Sequence, residues 1–142
     1  MESRKRFFSR TEIDSLLMGA PPQLRVAILL GVEAGGRAGE ISQLRWEDVD
    51  VEGVRIYWGF SDLRRGQGQY FRPVLMGVSL RQALIQWRDI APGSEFVVPW
   101  RKRERLSLMF RRRVRECGIE EGCFYMLRST FFYWISRWDH DF

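Results

Sequence analysis

The chain has 142 residues, of which 45% are hydrophobic and six are tryptophan, so it can bury the core of one globular domain and is too apolar for a disordered tail. Its formal net charge of +5 at pH 7 favours an anionic partner without identifying it. No apolar run reaches the roughly 18 residues of a membrane span, and the basic N-terminus has no adjoining signal-type segment. We therefore expect a cytoplasmic protein, nucleoid-associated or in a host-cell cytoplasm, with no membrane partner.

The first third of the sequence predicts three helices. Ser9 and Glu12 fit the capping box of the first helix. The two prolines at positions 21–22 stand where a second helix can begin, and its wide apolar surface predicts a central, buried position. The glycines at 35–36 permit a tight corner, after which a third helix is expected from Arg37 or its neighbour.

A small antiparallel sheet is predicted in the middle of the chain. Residues 54–58 alternate apolar and polar side chains, as a half-buried strand does. Residues 61–69 are polar and contain glycine, which predicts a hairpin tip. Residues 70–76 are predicted as the returning strand, and Pro73 restricts it to an edge or an irregular pairing.

Three more helices are predicted in the second half. Ser79 can cap the fourth, and the Pro-Gly pair at 92–93 ends it. A short extended segment at 96–98 and a basic connector at 101–105 precede the fifth, and the last helix begins at about Tyr125. The sequence therefore predicts an α+β domain over residues 1–142, mainly α-helical with one small antiparallel β-sheet.

Residues 36–41 (GRAGEI) and 44–50 (LRWEDVD) organise the chain. The glycine corner places Arg37 at a helix start, where a guanidinium and free backbone N–H groups can hold a phosphate. Glu40 lies three residues on, on the same helical face, and can brace Arg37. The ordinary alternative is a helix-start arginine paired with a surface glutamate.

These two segments closely resemble the first motif of the tyrosine recombinase (phage integrase) catalytic domain, in which Arg37 takes the place of the first catalytic arginine. Residues 125–131 (YMLRSTF) resemble the family's histidine-x-leucine-arginine motif. Arg128 takes the arginine position there, and Tyr125 replaces the histidine. The resemblance runs from about residue 7 to residue 138 and implies the recombinase catalytic fold.

The resemblance also implies the chemistry and the partner. A tyrosine recombinase cuts double-stranded DNA without a metal or nucleotide cofactor, and two arginines stabilise the charge on the phosphate. We therefore expect catalytic roles for Arg37, Arg128 and Tyr125, with Glu40 in support. A phenol can donate a hydrogen bond to phosphate, but its pKa near 10 makes it a poor acid-base substitute for histidine. Two cysteines and one histidine argue independently against a disulfide framework and an ordinary zinc site.

Further DNA contacts are expected from six other basic side chains, namely Arg64, Arg65, Arg72, Arg101, Lys102 and Arg103. The family's hairpin lysine is absent, because no lysine lies between Lys5 and Lys102. Arg64 and Arg65 occupy the predicted tip instead, either as DNA contacts or as ordinary exposed charges, but arginine is a poor proton donor to a leaving alkoxide. The basic density of residues 101–115 suits a phosphate backbone, although successive arginines of a helix cannot all face one groove.

In the family, the nucleophilic tyrosine lies well beyond the second arginine, whereas fourteen residues follow Arg128 here. Tyr133 is too close to Arg128 to be carried over as the nucleophile. We therefore predict a fragment or degenerate derivative of phage or mobile-element type that lacks the N-terminal DNA-binding domain and the nucleophile segment. It is expected to bind DNA in integration or recombination without completing strand cleavage.

Two alternatives stay open at this point. One is that the chain is part of an active integrase whose tail has been removed, and the other is that it is an interaction protein that regulates an intact recombinase. An apolar stripe on the last predicted helix bears on the second alternative. It consists of four side chains at helical spacing, namely Phe131, Trp134, Ile135 and Trp138. If part of this stripe is exposed, it favours a homo-oligomer or an intact recombinase as partner. If it packs against the second helix, it is ordinary core.

Overall fold

Seven helices and three strands make up the described part of the chain, which comprises residue 5, residues 7–68 and residues 71–140 of a computed structural model. Of residues 138–140 the backbone alone is described. In chain order the elements are α1 Arg10–Leu17, α2 Pro22–Val32, α3 Ala38–Ser42, a 3-10 turn Trp46–Asp48, β1 Val49–Asp50, β2 Arg55–Trp58, α4 Phe60–Arg64, β3 Arg72–Leu75, α5 Val78–Ile90, α6 Arg103–Glu116 and α7 Tyr125–His140. The predicted α+β class, mainly helical with a small antiparallel sheet, is confirmed.

Helix α2 is the centre of the core. All of residues 26–32 are buried, and the helix packs against α5 on one side and α7 on another. Gly31 makes the second contact possible, because a Cβ atom at this position would lie 2.9 Å from the Cβ of Leu127. The predicted central position of the second helix is therefore confirmed, and it fixes where α7 runs.

The sheet is antiparallel with the strand order β1-β2-β3, so β3 is an edge strand as Pro73 predicts. Ile56 and Trp58 of β2 face the core, and the Trp58 indole N–H donates to the carbonyl oxygen of Ala34 at 3.0 Å. A side chain at Gly36 would collide with this indole, at 2.5 Å. The sheet and the glycine corner therefore hold each other in place.

Several local predictions are wrong, and each error has a physical cause. The predicted hairpin tip contains a short helix, α4, whose Ser61 backbone N–H and hydroxyl both donate to the buried carboxylate of Asp48 at 2.8 Å. Helix α5 begins one residue before Ser79, and the carboxylate of Glu33 accepts from the Leu80 N–H at 3.1 Å in place of a serine cap.

Two further segments differ from the prediction. The expected connector at 101–105 is partly helical, because α6 begins at Arg103. The extended segment at 96–98 forms a single bridge between Arg45 and Phe96 and no named strand. The start of the predicted strand at Tyr70 and the side chain of Trp138 lie outside the described residues.

No helix in the described part of the chain is long and apolar enough to cross a membrane. Among the same residues, no three His, Cys, Asp or Glu side chains are grouped so as to hold a metal ion.

Candidate functional site

Arg37 stands at the N-cap of α3, directly after the glycine corner. Gly35 has a φ of 67°, and the Phe131 ring lies 2.7 Å from where its Cβ would be, so both the turn and the packing require glycine. The corner directs Arg37 out of the core, and its side chain is exposed. Its backbone N–H donates to the Glu40 carboxylate at 3.0 Å.

Glu40 also binds Arg72, which reaches it from strand β3. The two terminal nitrogens of Arg72 donate to the two carboxylate oxygens at 3.1 and 3.2 Å, a bidentate pair. Burial alone would raise the pKa of Glu40, but the Arg72 hydrogen bonds and the Arg37 N–H together hold that pKa below its usual value. Glu40 is therefore ionised near neutral pH, and the brace that the sequence predicts for Arg37 acts through the backbone.

Arg128 lies in the first turn of α7 and approaches the same place. Its guanidinium donates to the carbonyl oxygen of Gly35, and its Cζ atom lies 4.8 Å from the centroid of the Phe132 ring. Burial lowers the pKa of Arg128, and the charges of Arg37 and Arg72 lower it further. Glu40 is the one carboxylate whose charge acts on Arg128 against those of the two arginines, which leaves a positive excess at Arg128 suited to an anion.

Two clefts meet at Arg37. The first has a volume of about 400 Å³, and its polar lining is Arg37, Arg72, Gln43, Ser61 and the carboxylates of Glu40, Asp48 and Asp62. The second, of about 370 Å³, lies between α3, α6 and the start of α7, and its polar lining is Arg37, Arg103, Ser107, Arg111 and Tyr125. Tyr125 is 64% exposed, so its hydroxyl is accessible in the second cleft. None of the described residues that line the second cleft is acidic.

The structure brings together part of the predicted set. Arg37, Glu40, Arg72 and Arg128 interact directly or through their charges. Tyr125 and Arg103 share the second cleft with Arg37. Ser107 and Arg111 were missed as site residues, although their spacing of four from Arg103 and from each other could have found them on one helix face.

The other predicted DNA contacts lie elsewhere. Arg64 and Arg65 both pair with Glu47, each at 2.5 Å, and these interactions hold the pKa of Glu47 below its usual value, with the Arg65 hydrogen bond as the largest cause. The Arg101 Cζ lies 3.7 Å from the centroid of the Phe96 ring.

The terminal nitrogens of Arg101 are buried and have no hydrogen-bond partner within the described part of the chain. Lys102 is exposed just before α6. DNA contacts by Arg64, Arg65, Arg101 and Lys102 stay predictions.

Comparison with known proteins places the chain in a family. Residues 6–141 match the model of the phage integrase family. Similar solved structures include XerA recombinase, with a TM-score of 0.76 at 19% identity over 91% of this chain and 50% of that chain. The integrase from mycobacterium phage Brujita gives a TM-score of 0.74 at 21% identity over 92% of this chain and 44% of that chain. No curated protein sequence matches at a significant level.

A lambda integrase dimer bound to a COC′ core site is also similar, with a TM-score of 0.69 at 20% identity over 92% of this chain and 52% of that chain. The chain thus spans about half the length of these structures. At such identities the likeness shows the fold, which is that of the tyrosine recombinase catalytic domain. The match over residues 6–141 confirms the family that the motifs at 36–50 and 125–131 predict. The chain belongs to the phage integrase family.

Proposed function

We propose that this chain is a DNA-binding, integrase-like domain of phage or mobile-element type that acts in DNA integration or site-specific recombination, in the cytoplasm where that DNA lies. The observation that carries the proposal is the gathering of Arg37, Arg72 and Arg128 near the carboxylate of Glu40. Such an excess of positive charge costs self-repulsion unless an anion compensates it. A DNA phosphate supplies that charge.

Arg37 and Arg128 converge on one phosphate in this proposal. Arg128 is already oriented by the Gly35 carbonyl and the Phe132 ring, so little side-chain entropy is lost when it binds. Two guanidinium groups on the oxygens of one phosphate give electrostatic stabilisation in a fixed geometry. Tyr125, accessible in the adjoining cleft, can donate a hydrogen bond through its hydroxyl group.

The second cleft extends the contact along the DNA backbone. Arg103, Ser107 and Arg111 follow one another at intervals of one helical turn on α6 and line the same cleft as Arg37. Cationic and hydroxyl side chains in a row suit phosphate oxygens and carry no sequence information by themselves. The basic cluster that the sequence places at 101–115 therefore contributes through one face of the helix.

We propose binding without strand cleavage by the residues present. The ring of Tyr133 stacks on that of Phe7 with centroids 4.1 Å apart, and it lines a groove other than the two clefts that meet at Arg37. The hairpin supplies no lysine as a proton donor to the leaving oxygen. Tyr133 is therefore expected to form no bond to DNA.

Self-association belongs to the same proposal. Solved structures of lambda integrase include a dimer bound to a core site and a tetramer bound to a Holliday junction, and XerH recombinase has been solved bound to its difH substrate. In this chain, α7 exposes Phe132, Tyr133 and Ile135 beside an apolar groove of about 550 Å³. An apolar surface of this kind suits a second copy of the chain.

The test is fluorescence anisotropy with duplex DNA across a salt series from about 50 to about 200 mM, where each phosphate contact adds roughly 0.9 to the logarithmic salt slope. We expect steeply salt-dependent binding. Arg37→Met should weaken it roughly tenfold, and Arg64→Met should weaken it less than about twofold, because Arg64 is 57% exposed and already paired with Glu47.

The same complexes should show no covalent adduct on a denaturing gel with a nicked suicide substrate. Undetectable or salt-independent binding by the wild type would remove the DNA-binding proposal. An adduct lost on Tyr133→Phe or on Tyr125→Phe would remove the proposal on cleavage.

A further inference from the structure

The carboxylate of Glu40 is shared between two elements that meet at the proposed phosphate site. One oxygen accepts both the Arg37 backbone N–H, at 3.0 Å, and one Arg72 nitrogen, at 3.2 Å. The other oxygen accepts the second Arg72 nitrogen at 3.1 Å. The pair is sheltered, with 35% of the Arg72 side chain and 26% of the Glu40 side chain exposed. Strand β3 is thereby tied to the start of α3.

The seat of Arg72 is rigid. Its backbone pairs with Trp58 across β2 and β3, and its Cζ atom lies 5.9 Å from the Trp58 ring centroid. Trp58 is 2% exposed, and its indole N–H donates to the Ala34 carbonyl oxygen, so its ring is held in place. Next to this ring, the planar guanidinium of Arg72 directs its two terminal nitrogens (its fork) to a carboxylate in one orientation. A lysine ammonium cannot reproduce this geometry.

The pairing with Arg72 determines which other groups the Glu40 carboxylate can bind. An ionised carboxylate beside Arg37 and Arg128 would otherwise turn to one of those guanidinium groups and compete with phosphate for it. With both oxygens occupied by Arg72, Glu40 contacts Arg37 through the backbone N–H. Among the described residues, no carboxylate forms an ion pair with the Arg37 side chain.

We infer that Arg72 is a positioning residue: its fork locks Glu40, and the locked Glu40 orients the Arg37 turn while leaving the Arg37 and Arg128 guanidinium groups free for phosphate. Arg72 therefore acts through Glu40, in contrast to the direct DNA contact that the sequence predicts for it. This inference rests on the proposed DNA-binding function.

The Arg72→Lys variant distinguishes a direct phosphate contact by Arg72 from a positioning role through Glu40. If Arg72 contacts phosphate as a cation, Arg72→Lys keeps most of the affinity and Arg72→Met loses it. If Arg72 acts through its bidentate fork, both variants should bind DNA about three- to tenfold more weakly than the wild type. Glu40→Gln should weaken binding by a similar factor, although it removes a negative charge near the phosphate. The double variant Glu40→Gln with Arg72→Met should bind no more weakly than either single variant.

These affinities are measured by anisotropy at one salt concentration, with circular dichroism melting to check that each variant is folded. Arg81→Lys is the matched control and should bind as the wild type does, since Arg81 donates to the carbonyl oxygen of Val51 at 2.9 Å and is not among the described residues that line either cleft. Tighter binding by Glu40→Gln, wild-type binding by Arg72→Lys, or additive losses in the double variant would each overturn the inference. If Arg72→Met unfolds, Glu40→Gln and Arg72→Lys still decide it, because both preserve side-chain volume.

A second readout does not depend on DNA. The Arg37 amide proton donates to Glu40, so its hydrogen exchange, followed by NMR, reports the lock directly. We expect Arg72→Lys and Arg72→Met to accelerate exchange at Arg37 roughly tenfold, and to leave exchange at the Leu80 amide, which donates to Glu33, unchanged. Unchanged exchange at Arg37 would overturn the inference even if the wild type binds no DNA, so its failure is distinct from that of the proposed function.

Discussion

Glu40 and Glu33 are two half-buried glutamates whose surroundings shift their pKa values in opposite directions. Burial raises the pKa of Glu33 above its usual value, and the hydrogen bond from Leu80 and the charges of Arg10 and Arg25 do not offset it. Burial acts on Glu40 as well, but the Arg72 fork and the Arg37 N–H bring its pKa below the usual value. The ionised form of Glu40 therefore contributes to stability, and the ionised form of Glu33 detracts from it.

The two glutamates predict opposite responses to acid. Because the pKa of Glu40 is lowered by folding, its contribution is present above the unfolded pKa and is lost as the pH falls through the folded pKa. Because the pKa of Glu33 is raised by folding, its contribution is present at low pH and is lost as the pH rises through the folded pKa. Between about pH 6 and about pH 3, Glu40→Gln should therefore lose less stability than the wild type, and Glu33→Gln more.

Urea unfolding at each pH measures both changes, and each variant is the control for the other. A Glu40→Gln curve that runs parallel to the wild type over this range would show that the Arg72 fork does not stabilise the ionised carboxylate. That result would contradict the inferred role of Arg72 in holding Glu40, independently of any DNA measurement.

At the scale of elements, the crossing of α2 and α7 sets the position of Arg128. Gly31 of α2 lies against Leu127, the residue before Arg128, and an added methyl group would come within 2.9 Å of the Leu127 Cβ. Helix propensity alone predicts that Gly31→Ala stabilises α2 by about 1 kcal/mol. Overpacking typically costs about 1–3 kcal/mol, so we expect net destabilisation, and weaker DNA binding as α7 is displaced.

The matched control is Gly39→Ala in α3, where the nearest atom to an added Cβ is the Arg103 Cδ at 3.9 Å. It should melt at or slightly above the wild-type temperature. Calorimetric melting of both variants tests the contact. Equal melting temperatures for the two alanine variants would show that α7 adjusts freely.

The elements that sequence reasoning predicted well are those that depend on near neighbours. The capping box of Ser9 and Glu12 involves residues three apart, and its reciprocal hydrogen bonds are present at 2.9 and 3.1 Å. The glycine corner before Arg37 is likewise local. The family motifs at 36–50 and 125–131 added the long-range fact that Arg37 and Arg128 come together, which no periodicity contains.

The missed features depend on contacts between distant residues. Helix α4 follows from the bonds of Ser61 to Asp48, thirteen positions away, and the start of α5 from Glu33, forty-seven positions before Leu80. The Arg72 fork on Glu40 spans thirty-two positions. Buried carboxylates that cap distant backbone leave no periodic signal, so a single sequence shows them as ordinary acidic residues.

At the scale of the whole molecule, helix α7 carries several exposed apolar side chains. Phe132, Tyr133 and Ile135 are 51%, 37% and 40% exposed and lie together along one helix. Phe131 and Trp134 of the predicted stripe turn inward, the first against Gly35 and the second against the core. The exposed part of α7 is thus larger than one isolated side chain, and burying it against another copy removes apolar area from water.

We expect Ile135→Glu to abolish self-association of the wild-type chain, because a charge in a contact surface cannot be buried without a partner. Ile90→Glu is the matched control: Ile90 is also exposed, at 65%, but lies at the end of α5, away from the α7 groove. Sedimentation velocity at several concentrations measures the association, and melting measures the fold. Loss of association in Ile135→Glu alone, with melting unchanged, supports the α7 surface. A wild type that stays monomeric at all concentrations, or equal losses in both variants, would contradict it.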